Sequence, residues 1–231
     1  MQPLAPSPRL ILFDLDDTLC DYASARDLRL RLAFTPHLPR GNDDPDHGAA
    51  LERMVADSLA THPHGADHFP ALFPRHGIHD PAAAESAMRW YRSNRFHGLT
   101  LFDDAIEVVG ALRPGRRVGL VTNGPTDVQR AKIARLGVER LVDFLLISEE
   151  FGAWKPDPAI FHEAMRQGGA GPDDAVFIGD SAEHDMAGAR AVGIRTIWMN
   201  RHRQPWSHSD PAPDHEVVSL TELRALLGDH P

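Results

Sequence analysis

The sequence predicts a doubly wound α/β fold: a Rossmann-like parallel sheet with an all-helical module inserted after its first strand. Three observations carry this expectation. Short apolar runs recur without polar alternation, which suits parallel strands covered on both faces. Helical patterns with clear start and stop signals separate most of them. Residues 20–98 break the rhythm with helical spacing and no convincing strand.

The first run, LILF (10–13), stops against Asp14, Asp16 and Asp17, with Thr18 beside them. In the module, Leu28 and Leu32 mark a short helix, and TPHLPRGNDDPDHG (35–48) reads as a mobile loop. Leu51, Met54, Val55 and Leu59 follow helical spacing, as do Ala84, Ala87, Met88 and Tyr91 after Asp80-Pro81. A helix over 103–112 ends at Pro114-Gly115 and leads into VGLV (118–121). The next helix, 126–136, stops at Gly137, and FLLI (144–147) follows. Asp157 and Pro158 are N-cap and first residue of a helix reaching Gln167, before Gly168-Gly169. AVFI (175–178), a helix over 183–192 stopped by Gly193, IRTIWM (194–199) and a closing helix over 221–227 complete the chain. The expected division is a discontinuous core, 1–19 and 99–231, around a helical module, 20–98.

At 231 residues, 42% hydrophobic and 25% charged, the chain can bury a sizeable core. Its 33 acidic against 24 basic residues give a net charge of -9, which argues against a dedicated nucleic-acid binder. The single cysteine, Cys20, permits no internal disulfide and fits a reducing compartment; with no evident histidine partner it is expected to pack as a small apolar residue. The segment MQPLAPSPRL has neither a basic nor an apolar signal region, and no run suits a membrane span. A cytoplasmic protein, monomer or homodimer, without membrane or nucleic-acid partners is the expectation.

In open parallel α/β sheets, ligands bind beyond the carboxyl ends of the strands. Asp14 and Asp16 follow the first strand, two residues apart. Thr122, Asn123 and Gly124 follow VGLV, Lys155 lies beyond FLLI, and Asp180, Ser181 and Asp185 follow AVFI. Three carboxylates at the mouth of a core repel one another and resist desolvation. Mg²⁺ among Asp14, Asp16 and Asp180 would let them tolerate each other, with Lys155 supplying a second positive charge for a phosphoryl group. Of the 24 basic residues only Lys132 and Lys155 are lysine, and a compact ammonium suits a tight phosphate site.

FDLDDTL, VTNG, WKPDPAIF and GDSAEHD, in this order, resemble the four signature motifs of the haloacid dehalogenase superfamily, whose commonest members are Mg²⁺-dependent phosphatases. The match covers roughly residues 8–20 and 99–227, and the helical module is similar to the C1-type cap of the phosphatase and dehalogenase branch. The run from VTNGPTDVQRAKIARLG to ISEEFGAWKPDPAIF is similar to nucleotide- and sugar-phosphate phosphatases. The resemblance implies a small phosphorylated metabolite as substrate and an aspartyl-phosphate formed on Asp14, with Asp16 as acid and then base. It implies Thr122, the Asn123 amide and Lys155 as phosphate holders. Asp14, the Asp16 carbonyl oxygen and Asp180 would bind Mg²⁺, with Asp185 as metal support or partner for Lys155.

Asp16 and Asp180 speak against a dehalogenase, and the absence of lysine from 20–98 against a phosphonate-cleaving Schiff-base enzyme. A sugar-phosphate mutase and a phospho-accepting switch module stay open as alternatives. Asp180 and Ser181 could also cap the helix after them. In the module, His62, His64 and His68 match no strong zinc spacing. Trp90, Tyr91, Arg92 and Arg95 could contact substrate, although packing explains Tyr91 and solvent exposure the arginines.

Overall fold

The structure, a computed structural model, describes residues 4, 6–38, 45–61, 67–206 and 211–228. In chain order, β1 (Leu10–Phe13) precedes the helices α1 (Tyr22–Phe34), α2 (Pro45–Leu59), α3 (His68–Arg75) and α4 (Pro81–Ser93). Then come α5 (Ala105–Leu112), β2 (Arg117–Thr122), α6 (Thr126–Leu136), β3 (Phe144–Ile147), the one-turn α7 (Ser148–Phe151) and α8 (Pro158–Gly168). After β4 (Ala175–Gly179), a π-helical turn (Ala182–Met186) enters α9 (Ala187–Ala191), followed by β5 (Arg195–Met199), β6 (His215–Val217) and α10 (Leu220–Leu227). The chain divides into two compact units, one formed by Met1–Asp21 with Thr100–Pro231 and the other by Tyr22–Leu99.

The first unit is a six-stranded Rossmann-like α/β sheet in the order β3-β2-β1-β4-β5-β6, parallel throughout. Every residue of β1 and β4 is buried, as the unbroken apolar runs require. Leu10 and Leu12 share one face, packed with Phe177, Ile160, Phe161 and Met165; Ile11 and Phe13 point to the other. Each such fully buried side chain stabilises by about 1.5–3 kcal/mol. β1 sits between β2 and β4, so the chain departs to one side of it and returns on the other. That reversal of strand order opens a crevice at the carboxyl ends.

Two details of this unit differ from the sequence expectation. β6 has only three residues, too few for a periodic signal, and pairs with β5 through Trp198↔Glu216. The helix expected over 183–192 begins as the wider π turn, with Ser181 capping through a bond from the His184 amide, 3.1 Å.

The helical unit packs around Phe34, Phe69, Phe73 and Tyr91, with ring centroids of Phe69 5.5 Å from both Phe34 and Tyr91. Leu28 and Leu32 do not define the buried face of α1: both are 39% exposed, while Ala25, Arg29, Leu30, Ala33 and Phe34 are buried. Small alanines and the arginine stalk let that face approach closely, a stripe that a search for large apolar residues overlooks. Residues 45–48 are the first turn of α2 rather than loop; 39–44 lie outside the described residues. Among the described residues no helix is long and apolar enough to cross a membrane.

Candidate active site

The site begins where β1 ends. The Asp14 amide donates to the Ile178 carbonyl, 2.9 Å, extending the β1–β4 ladder by one residue. The chain then turns: Asp17 adopts a positive φ of 54°, and the Leu19 and Cys20 amides bond back to the Leu15 carbonyl. Cys20 is fully buried, its thiol donating to the Leu15 carbonyl at 3.4 Å; burial, then the Asp16 charge, push its pKa far above the usual thiol range. It therefore stays a neutral packing group.

Lys155 joins the ends of three segments. Its Nζ lies 2.6 Å from Asp14 Oδ1 and 2.6 Å from Asp185 Oδ1, all three side chains 10% exposed or less. Burial works against this ammonium, but Asp14 and Asp185 outweigh it and hold its pKa above the ordinary lysine value. Burial pushes the Asp14 carboxyl up to about 7, Lys155 opposing and the charges of Asp185 and Asp16 adding to the rise. Asp180 is raised too, by burial and then by Asp14 and Asp185.

Asp185 reaches Lys155 because residue 179 is glycine. A Cβ there would collide with Asp185 Oδ2, which instead accepts from the Ser181 amide at 3.1 Å. The Trp198 indole N–H donates to the Asp180 carbonyl, 2.8 Å, fixing the backbone that carries the third acid. Among the described residues, Asp14, Asp180 and Asp185 form one cluster whose ligand atoms all lie within 4.8 Å of one another. Three converging carboxylates, two with raised pKa, are a donor set that fits a hard divalent cation with oxygen ligands. The Asp16 carboxylate is not in this cluster.

The loop after β2 is clamped to the lysine segment. Asn123 Nδ2 donates to the Lys155 carbonyl and its Oδ1 accepts from the Lys155 amide, both 2.9 Å. This side chain is therefore engaged, which leaves the backbone for any contact with a ligand. Thr122 Oγ1 accepts from Gln129 Nε2 at 2.6 Å, so its own hydrogen remains to donate elsewhere. Ser148 Oγ accepts from the Gly124 amide at 3.0 Å.

Gln129 and Ser148 escaped the sequence reading, which noted Lys132 for the rarity of lysine but gave it no role. Lys132 Nζ lies 2.8 and 2.6 Å from the two Asp16 oxygens. The scarcity of lysine marks it as much as Lys155, but a lysine within a helix ordinarily faces solvent. In the helical unit, both ring nitrogens of His68 meet hydroxyls, of Ser58 at 2.8 Å and Thr61 at 3.3 Å; His62 and His64 lie outside the described residues. Tyr91 is buried in the aromatic cluster, Arg92 and Arg95 are exposed, and Trp90 meets His97 edge-on.

Residues 8–193 match the haloacid dehalogenase-like hydrolase family. The chain is 32% identical over 225 residues to a glyceraldehyde 3-phosphate phosphatase of Methanopyrus kandleri, covering 93% of this chain and 95% of that one. It is 37% identical over 128 residues to the pyrimidine 5'-nucleotidase YjjG of Escherichia coli, covering 54% and 56%. Among solved structures, the HAD-hydrolase YfnB of Bacillus subtilis, bound to magnesium, superposes with a TM-score of 0.73 at 26% identity, covering 95% of this chain and 98% of that one. The chain belongs to the haloacid dehalogenase-like hydrolases, and its family and relatives make it an enzyme acting on phosphoric monoester bonds.

Proposed function

We propose that this hydrolase cleaves a small soluble phosphomonoester, a nucleoside monophosphate or a sugar phosphate, through an aspartyl-phosphate on Asp14, with Mg²⁺ as resident cation. The observation that carries the reading is the buried Asp14 carboxylate with the Lys155 ammonium 2.6 Å away, beside Asp180 and Asp185. The relatives named for a triose phosphate and for a nucleotide favour this substrate class. The Tyr22–Leu99 unit is the proposed cap domain, and the α/β unit the catalytic one.

In the first half-reaction an Asp14 oxygen attacks phosphorus in line while the bond to the ester oxygen breaks. Asp16, as the acid, gives its proton to the departing alkoxide. In the second, water attacks the phosphorus, Asp16 as carboxylate takes the proton, and the bond to Asp14 breaks, releasing inorganic phosphate. Lys155, the Thr122 hydroxyl and the Asn123 amide hold the phosphoryl oxygens as charge spreads over them. Asp14, the Asp16 carbonyl oxygen and Asp180 would hold the cation, with Asp185 in support. Bound there, Mg²⁺ supplies positive charge that offsets repulsion between these acids and the phosphate anion.

Turnover of p-nitrophenyl phosphate by purified protein with Mg²⁺, and its loss and recovery on adding EDTA and then excess Mg²⁺, tests the reading. Asp14→Asn should keep the wild-type circular dichroism spectrum and lose about 10⁴-fold or more in kcat. Wild-type rates in that variant would remove Asp14 as nucleophile. A panel of phosphorylated metabolites then identifies the preferred leaving group.

A further inference from the structure

We infer that Lys132 is a positioning residue for proton transfer: it fixes the Asp16 carboxylate from the protein side and leaves the outer face to the reacting oxygen. The inference rests on the phosphatase reading above, in which Asp16 serves as acid and base. Lys132 meets both Asp16 oxygens, 2.8 and 2.6 Å, in charge-assisted hydrogen bonds that set the plane of the carboxylate as well as its place. The two side chains are unequal in exposure, 5% for Lys132 and 29% for Asp16. The ammonium thus comes from inside, and the open part of the pair is carboxylate. The Cys20 thiol, its one hydrogen shared between the Leu15 carbonyl and Asp16 Oδ1 at 3.4 and 3.5 Å, adds little to that hold.

The same helix serves a second segment of the site. Gln129 and Lys132 lie three residues apart on one buried face of α6. Gln129 donates to Thr122 Oγ1 and to the Asn123 carbonyl, while Lys132 holds Asp16. A helix that merely covered a sheet would bury apolar residues there. Buried ion pairs are also poor stabilisers, often replaceable by apolar side chains at no cost. Lys132 is not a duplicate of Lys155, whose ammonium is taken up by Asp14 and Asp185.

Asp16 is needed unequally in the two half-reactions when the leaving group is p-nitrophenolate, which departs without a proton. Attack of water on the aspartyl-phosphate needs the base whatever the substrate. Misplacing Asp16 should therefore slow the second half-reaction with p-nitrophenyl phosphate and spare the first.

The test is Lys132→Met followed by stopped-flow absorbance with p-nitrophenyl phosphate and Mg²⁺. Steady-state turnover should fall about 10- to 100-fold. It should follow a burst of p-nitrophenol approaching one per enzyme, with acid-quenched phosphoenzyme to match. In an Asp16→Asn background the same change should cost nothing further. A steady state within about twofold of wild type, or an equal loss in the Asp16→Asn background, overturns the inference. So does a slower turnover with no burst. Should Lys132→Met fail to fold, Lys132→Gln is read by the same criteria. Failure of the phosphatase reading looks different: wild type itself then gives neither turnover nor phosphoenzyme.

Discussion

Arg29 in the helical unit and Lys155 in the α/β unit are both almost fully buried, yet their partners differ in kind. Arg29 donates to the backbone carbonyls of Ala25 and Arg95 and lies over the rings of Tyr22 and Tyr91. It ties α1 to the segment after α4, and among the described residues it makes no ion pair. Arg116, in the α/β unit, also donates to backbone carbonyls, those of Leu227 and Gly228, and to Ser7 Oγ. Lys155 instead faces two carboxylates, Asp14 just past the end of β1 and Asp185 in the π turn after β4. A buried guanidinium that donates to carbonyls serves architecture, whereas opposed buried charges beyond a sheet's carboxyl edge are chemistry held in readiness.

Lys155→Met attacks this contrast at its strongest point. It removes the one ammonium shared by Asp14 and Asp185 and a proposed holder of phosphoryl oxygens. Loss of a single donor to a developing anion costs about 10²–10³ in kcat. Steady-state kinetics with saturating Mg²⁺ checks it. Arg29→Met, by contrast, should lower thermal stability and leave kcat near wild type. Equal kinetic damage from both would erase the distinction.

The helical unit offers the complementary test. Phe69 is fully buried and touches Phe34, Phe73 and Tyr91, so Phe69→Ala opens a cavity at the centre of the aromatic cluster. A destabilisation of about 3–5 kcal/mol is expected. Hydrogen exchange should show it in the amides of α1, α3 and α4, with β1 and β4 keeping their protection. Matching losses of protection in β1 and β4 would mean the two units do not unfold separately.

The apolar runs of β1 to β5 were legible because a strand buried on both faces writes its burial continuously into sequence. The candidate site drew attention for the same reason: Asp14, Thr122, Lys155 and Asp180 each end or follow such a run. β6 was not, because HEV carries three residues of signal and belongs at an edge. Lys132 and Gln129 were hidden because a polar residue inside a helix defaults to the solvated face, and only the packing of α6 turns them inward. Arg29 was hidden in the same way: Leu28 and Leu32 marked the helix, while its buried face runs through Ala25, Arg29, Leu30 and Ala33. Sequence patterns report what is apolar; buried polar groups become visible once their partners from distant segments are in place.

Asp214 supplies the smallest and sharpest comparison, since it is the same residue type as Asp14 with the opposite shift. Burial raises both, but at Asp214 the Thr196 amide and hydroxyl, each 2.8 Å away, with Arg190 and His215 nearby, outweigh it and lower the pKa. At Asp14 neighbouring acids add to the effect of burial. A depressed folded pKa means stability that is fully present above the ordinary carboxylate value and lost as pH falls through the folded one. Asp214→Ala should therefore cost about 1–2 kcal/mol at neutral pH, measured by urea unfolding. The gap from wild type should narrow from about pH 4 downward. A gap that widened on acidification would mean that Asp214 does not hold β5 through its charge, and that the opposite shifts of the two acids do not mark opposite roles.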